Sequence, residues 1–183
     1  MSRTSSGTST RPSPPLWAVP EYPPVEGWTP PDAGERWDII RRSRTVAVVG
    51  ASGDRARASN FVVTYLLSSS VDFDVYLVNP REREILGRTV HPSLEALPVV
   101  PDIIDVFRRS EGLPEVAAEA IAVGAGVFWA QLGLWSPEAA RLCLAAGLDV
   151  VMNRCLKIEH ARFSGGLALA GFDTGVISSR RHL

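Results

Sequence analysis

The residues able to do chemistry in this sequence fall in five short groups, and most of them suit anion binding. The first group is Gly50-Ala51-Ser52-Gly53-Asp54-Arg55-Ala56-Arg57. Its glycines let the backbone come close to a ligand, and a helix that follows offers free N–H groups to an anion. The others are Asn79-Pro80-Arg81, Phe107-Arg108-Arg109, Gln131-Leu132-Gly133 and Asn153-Arg154-Cys155. Six members are arginine: Arg55, Arg57, Arg81, Arg108, Arg109 and Arg154. A guanidinium fork matches the paired oxygens of phosphate or carboxylate. In a chain of net charge −1, arginines gathered in one place suggest a polyanionic ligand. Any one of them taken alone reads equally well as a solvated surface charge.

These groups need a scaffold that brings them together. Each follows a short apolar run: 45–49, 73–78, 102–107, 126–130 and 148–152. Continuous runs rich in Val and Ile suit strands buried on both faces. Helical patterns alternate with them. Ala56–Ser69 carries Phe61, Val62, Tyr65 and Leu66 at helical spacing, and Pro114–Val123 is amphipathic. Ser136 with Pro137 marks the start of another helix, which ends near Gly147. Ahead of the first strand, Asp32–Ser43 reads as a helix with Asp32 and Glu35 in capping-box spacing. Arg81–Gly87 reads as an exposed loop, and His91–Glu95 as a turn with a brief helix. Strands alternating with helices predict an α/β fold, a Rossmann-like doubly wound parallel sheet of about five strands with helices on both faces. Such sheets bind ligands at the carboxyl ends of their strands, where all five groups lie.

The remaining chain sets the limits. Residues 1–31 form a Pro-rich N-terminal arm, disordered or extended. Eight of the 14 prolines lie in 11–31, among Trp17, Tyr22 and Trp28. The aromatics give the arm a packing role along the domain or a partner subunit, and a homodimer is one assembly left open; a free tail with exposed rings is the alternative. The binding domain is expected over 32–160. Residues 161–183 form a C-terminal extension packed on it, with a hairpin or an edge strand. No apolar run approaches the ~20 residues of a membrane span, and the N-terminus does not read as a secretory signal. The near-neutral charge gives no reason to expect nucleic acid or a membrane surface as partner. Two cysteines, Cys143 and Cys155, form no disulfide framework and fit a reducing cytoplasm. The scattered His91, His160 and His182 offer no metal spacing.

Dinucleotide binding calls for G-x-G-x-x-G and an acidic residue at the end of the second strand. Here Ser52 stands in place of the second glycine and Asn79 in place of the acid. No Gly-Lys-Ser/Thr phosphate loop occurs, and the single lysine is Lys157.

Several motifs carry a resemblance. They are Val46-Ala47-Val48-Val49-Gly50-Ala51-Ser52, Arg57-Ala58-Ser59, Val78-Asn79-Pro80, Leu86-Gly87, Asp102–Arg109, Trp129–Gly133 and Asp149–Cys155. In this order, over almost two thirds of the chain, they resemble the CoA-binding domain family. Its stand-alone members are similar to the N-terminal domain of the succinyl-CoA synthetase alpha subunit. The resemblance implies coenzyme A, or an acyl-CoA, as ligand. It implies phosphate contacts from the Gly50-Ala51-Ser52-Gly53 loop and phosphate or ribose contacts from Ser52, Arg57 and Ser59. Asn79 and Pro80 would border adenine and ribose. Phe107, Arg108 and Arg109 would close the site, with an arginine on phosphate. Gln131 to Gly133 would face the pantetheine arm. Arg154 joins the binding set from the end of the fifth strand. The chain departs from the family pattern at Ala58 and Leu156, where prolines are common, and at Asn153, where aspartate is. Ligase chemistry is not carried over, because the synthetase's phosphohistidine domain has no counterpart here.

Other chemistry finds little support. Cys155, near Arg154 and Lys157, is the most tempting nucleophile, set against a buried, idle thiol. Cys143 and Trp129 read as core. His160 reads as a surface histidine. No catalytic residue is assigned. The expectation is a cytoplasmic CoA-binding module. The alternatives are an NAD(P)-dependent oxidoreductase-type domain and an interaction subunit with a vestigial site.

Overall fold

The computed structural model describes residues 22–68 and 71–164. Strands β1 (Thr45–Val49), β2 (Asp74–Val78), β3 (Glu84–Ile85), β4 (Arg88–His91), β5 (Ile103–Val106), β6 (Val127–Ala130) and β7 (Asp149–Val151) form one sheet. The order is β3-β4-β2-β1-β5-β6-β7. All neighbours are parallel except β3 and β4. Helices are α1 (Ala33–Arg42), α2 (Ala58–Leu66), α3 (Leu113–Ala122), α4 (Pro137–Ala145) and α5 (Leu156–Ser164). The fold is the expected doubly wound α/β type.

Strand residues alternate between two cores. Val46, Val48, Leu77, Ile103, Trp129 and Val151 face Ile39 and Ile40 of α1, Val62, Val63 and Leu66 of α2, and Leu156 of α5. Ala47, Val49, Ile104, Val106, Phe128 and Val150 face Leu113 and Val116 of α3 and Ala139, Ala140 and Cys143 of α4. The small side chains of α3 and α4 let these two helices lie close to the sheet. Full burial of a ring such as Phe128 contributes ~2–3 kcal/mol. Trp129 is also fully buried, and its indole N–H donates to the Arg154 carbonyl at 2.8 Å.

The expected helix starts are present. Asp32 and Glu35 close a reciprocal capping box on α1, and Ser136 caps α4 with Pro137 at its first position. At the sheet's amino edge, the Asp102 carboxylate accepts from the N–H groups of Arg44 and Thr45 and from the Thr45 hydroxyl. Burial alone would raise its pKa, but those three hydrogen bonds hold it below the usual value. They pin β1 beside β5.

Three local expectations change. The stretch expected to be an exposed loop forms the β3–β4 hairpin, pairing Glu84 with Thr89 and Ile85 with Arg88. Leu86 and Gly87 turn it, both at positive φ, as a tight two-residue hairpin requires. His91–Glu95 contains no helix, since Pro92 and Pro98 leave only turns. On α2 the buried apolar residues are Val62, Val63 and Leu66, whereas Phe61 is 64% exposed with the Lys157 ammonium over its ring. In addition, α5 runs across position 160 and ends at Ser164; a hairpin or edge strand in the remaining tail lies outside the described residues, as does the arm before Tyr22.

From Tyr22 onward the arm lies along the domain. Val25 is buried in the α3/α4 core. Tyr22 stacks on Trp135 at 4.8 Å, Trp28 leans on the same ring at 5.6 Å, and the Trp135 indole donates to the Pro23 carbonyl at 2.9 Å. Trp135→Ala removes that anchor. It should lower stability by ~2 kcal/mol, less than for a fully buried ring, and speed proteolytic cleavage within 22–31. An unchanged cleavage rate would contradict the docking.

Candidate functional site

Strand order reverses between β1 and β5. From β1 the chain leaves through α2 on one face; from β5 it leaves through α3 on the other. A crevice therefore opens at the carboxyl ends of these two strands. Gly50 is the first residue beyond β1. Its φ is +84°, and a Cβ there would sit 2.6 Å from the Phe107 carbonyl oxygen. Only glycine fits both demands. Its N–H donates to the Val78 carbonyl at 2.9 Å, and the Phe107 N–H donates to Val49 at 2.8 Å, so three strand ends are laced together.

The loop after Gly50 is braced from below. Asn79 Nδ2 donates to the Ala51 carbonyl at 2.7 Å, and Asn60 Nδ2 donates to the Ser52 carbonyl at 3.0 Å. The Gly53 N–H points at the Glu82 carboxylate, 2.9 Å from Oε2 and 3.1 Å from Oε1. An oxyanion thus already rests on this loop, ahead of the N-terminus of α2. The α2 cap position, Arg57, supplies no side-chain cap. These features fit a phosphate-bearing ligand: a backbone donor aimed at an anion and an uncapped helix start.

The sequence-predicted residues gather at this edge in two ways. Arg57, Arg108 and Arg109 are exposed, with Arg57 only loosely paired to Asp54 at 3.6 Å. Pro80 is exposed beside them, and Ser52 and Phe107 are half-buried. Ala51, Ser59 and Gln131 are buried instead. Gln131 turns inward and donates from Nε2 to Asp105 Oδ1 at 2.6 Å. Gly133, at φ +80°, donates its N–H to Asn153 Oδ1 at 2.8 Å. Asn153 itself has a φ of +55°, a conformation asparagine tolerates better than most residues. Arg154 is half-buried beyond β7.

Sequence reasoning missed Asp105, Asn60 and Glu82. Asp105 lies mid-strand with no exposure, and its Oδ2 has no partner. Burial pushes its carboxyl pKa up to about 7, against the lowering effect of the Gln131 hydrogen bond. The available signal was an aspartate inside the apolar run Ile103-Ile104-Asp105-Val106. The cysteines are shielded. Burial raises the Cys155 thiol and pushes Cys143 up to about 12. His160 is not on the surface. It is 7% exposed, bonded through Nδ1 to the Tyr65 hydroxyl at 2.9 Å, and burial lowers its pKa. A cavity of about 330 Å³ lies away from this edge, beneath the arm, between Trp28, Asp38, Arg42 and Asp149.

The fold and crevice define an open, doubly wound α/β domain whose strand order switches between β1 and β5. Residues 44–161 match the CoA binding domain model, and the chain belongs to that family. It is similar to the uncharacterized protein YneT of Bacillus subtilis, 39% identical over 131 residues, covering 72% of this chain and 96% of that one. A hypothetical protein from Pyrococcus horikoshii is 36% identical with a TM-score of 0.70, over 80% of this chain and all of the other. A Thermus thermophilus protein is 34% identical with a TM-score of 0.66, over 72% and 98%. Among the described residues no helix is long and apolar enough to cross a membrane.

The Asp105 carboxyl gives a pH test. Its folded pKa lies above its unfolded value, so the folded chain keeps a proton that the unfolded chain has lost. Stability from this group is therefore full below about pH 4 and lost as pH rises through about 7. Between pH 5 and pH 8 the wild type should lose about 2–3 kcal/mol more than Asp105→Asn in urea denaturation. Parallel pH dependence of the two proteins would contradict the assignment.

Proposed function

We propose that this protein binds coenzyme A, or an acyl-CoA, along the carboxyl edge of its sheet. The observation that carries the reading is the Gly53 N–H holding a carboxylate at the switch point, within a chain of the CoA binding domain family. In the liganded state a phosphate takes the place of the Glu82 carboxylate on Gly53. Arg57, Arg108 and Arg109 supply exposed guanidinium groups for the pyrophosphate and 3′-phosphate. Gly50 and Ala51 set the loop's path, Ser52 and Ser59 flank the start of α2, and Asn79 and Pro80 border the nucleoside. Phe107 walls the crevice. Gln131, Gly133 and Arg154 lie farther along the edge, toward the pantetheine end.

The NAD(P) alternative lacks a group for the ribose diol. Asn79 stands where the acid is needed, and its side chain already bonds Ala51 and Arg81. We read the domain as a binding module without catalytic groups of its own, since Cys155 is buried with a raised pKa rather than poised as a thiolate. The binding unit spans the chain from α1 into α5, with the arm docked beside it. A cytoplasmic location and a homodimer belong to the same proposal.

Calorimetric titration tests this. CoA should bind with a micromolar Kd, with NAD, NADP and ADP much weaker. Arg108→Ala should weaken CoA at least tenfold, ~1.4 kcal/mol. Glu82→Gln should tighten it several-fold by removing the competing carboxylate. Failure of folded protein to bind CoA would overturn the proposal.

A further inference from the structure

The cavity of about 330 Å³ beneath the arm lies at an edge of the sheet, because β7, whose Asp149 and Val150 line it, is the last strand in the order. The Asp149 N–H donates to the Gly126 carbonyl at 3.0 Å, so Asp149 turns its backbone groups toward β6. Backbone direction alternates from residue to residue along a strand. The Val150 N–H and C=O therefore point the other way, out from the edge. Among the described residues, no group of the arm or of α1 hydrogen-bonds them. Yet Val150 is only 3% exposed. A buried backbone donor and acceptor without partners are costly. Together they match one residue of another extended chain.

The walls of the cavity come from both faces of the sheet, as they must around an edge strand. On the α3/α4 side stand the Val150 side chain, Leu144 and Trp28, an apolar wall. On the α1 side stand Glu35, Asp38 and Arg42, joined by Asp149, whose side chain alternates with that of Val150. Glu35 gives one carboxylate oxygen to the Asp32 N–H, Asp38 one to Arg41 and Asp149 one to Arg42. The second oxygen of each is left to a ligand. Three carboxylates and one guanidinium line this wall, so it is negative.

We propose that the β7 edge beneath the arm docks an extended, basic segment of a partner protein. One residue of the segment exchanges both backbone bonds with Val150, as in an antiparallel pair. Its side chain falls on the same face as that of Val150, against Trp28 and Leu144, and is apolar. The side chains before and after it fall on the opposite face, beside Glu35, Asp38 and Asp149, and are lysine or arginine. The recognised pattern is cation, apolar residue, cation. This surface is separate from the crevice at Gly50 and stands whether or not CoA binds.

Chemical-shift mapping on the full isotope-labelled chain tests this with the peptide acetyl-Arg-Val-Arg-amide. The Val150 amide and Trp28 indole signals should shift saturably, with a Kd below about 1 mM. N-methylation of the peptide's valine removes the donor and should weaken binding roughly fivefold, the worth of one hydrogen bond. Acetyl-Glu-Val-Glu-amide should not bind. Asp38→Asn and, separately, Glu35→Gln, which keeps a helix-capping side chain, should each weaken the basic peptide roughly threefold while the unliganded spectrum stays that of the folded protein. Unchanged binding of the N-methylated peptide would overturn the strand pairing. Equal binding of the acidic peptide, or full affinity in both variants, would overturn the charge recognition. No shift at Val150 would overturn the docking site itself. Val150 shifts that follow protein concentration without any peptide would give the edge to a second copy of the chain and overturn the partner assignment.

Discussion

The contact between residue 50 and the Phe107 carbonyl governs the upper edge of this molecule. No side chain fits between them, and the backbone at residue 50 turns where only glycine is at ease. At the lower edge Asp102 pins the same two strands through three hydrogen bonds. β1 and β5 are thus held in register at both ends, at the point where the sheet's strand order reverses. The helices that leave from these strands diverge, and the crevice between them is a consequence of that topology. The loop after Gly50 inherits its shape from the Gly50 contact and from the two asparagines that brace it.

The charged groups of this domain differ sharply in burial. At the switch point, Arg57, Arg108 and Arg109 are exposed to solvent. Between α1 and α5, Arg36 and Arg162 are withdrawn into the fold and share the Glu159 carboxylate. Within β5 lies Asp105, whose burial favours the neutral acid.

Much of this was legible in the sequence because strands buried on both faces are written as plain apolar runs. The rule that ligands meet the strand ends then placed Gly50, Asn79, Phe107, Gln131 and Arg154 on one edge without any coordinates. The hairpin was not legible. Arg81-Glu82-Arg83-Glu84 looks like solvated loop, and only Ile85 is buried there. Helix α5 was hidden for a different reason: its buried face carries Glu159, His160 and Arg162, so apolar periodicity is missing. Burial of those residues is paid for by pairing across α1 and α2, which a one-dimensional pattern cannot display. Asp105 stood in plain view, but its partner Gln131 lies 26 residues away.

The account turns on where a CoA ligand meets the sheet, and amide chemical-shift mapping reads that location directly. On titrating CoA into isotope-labelled protein, the largest shifts should fall on Gly50, Ser52, Gly53 and Phe107, with a smaller set at Gly133 and Arg154. Shifts centred instead on Trp28, Asp38 and Asp149, around the cavity beneath the arm, would contradict the account.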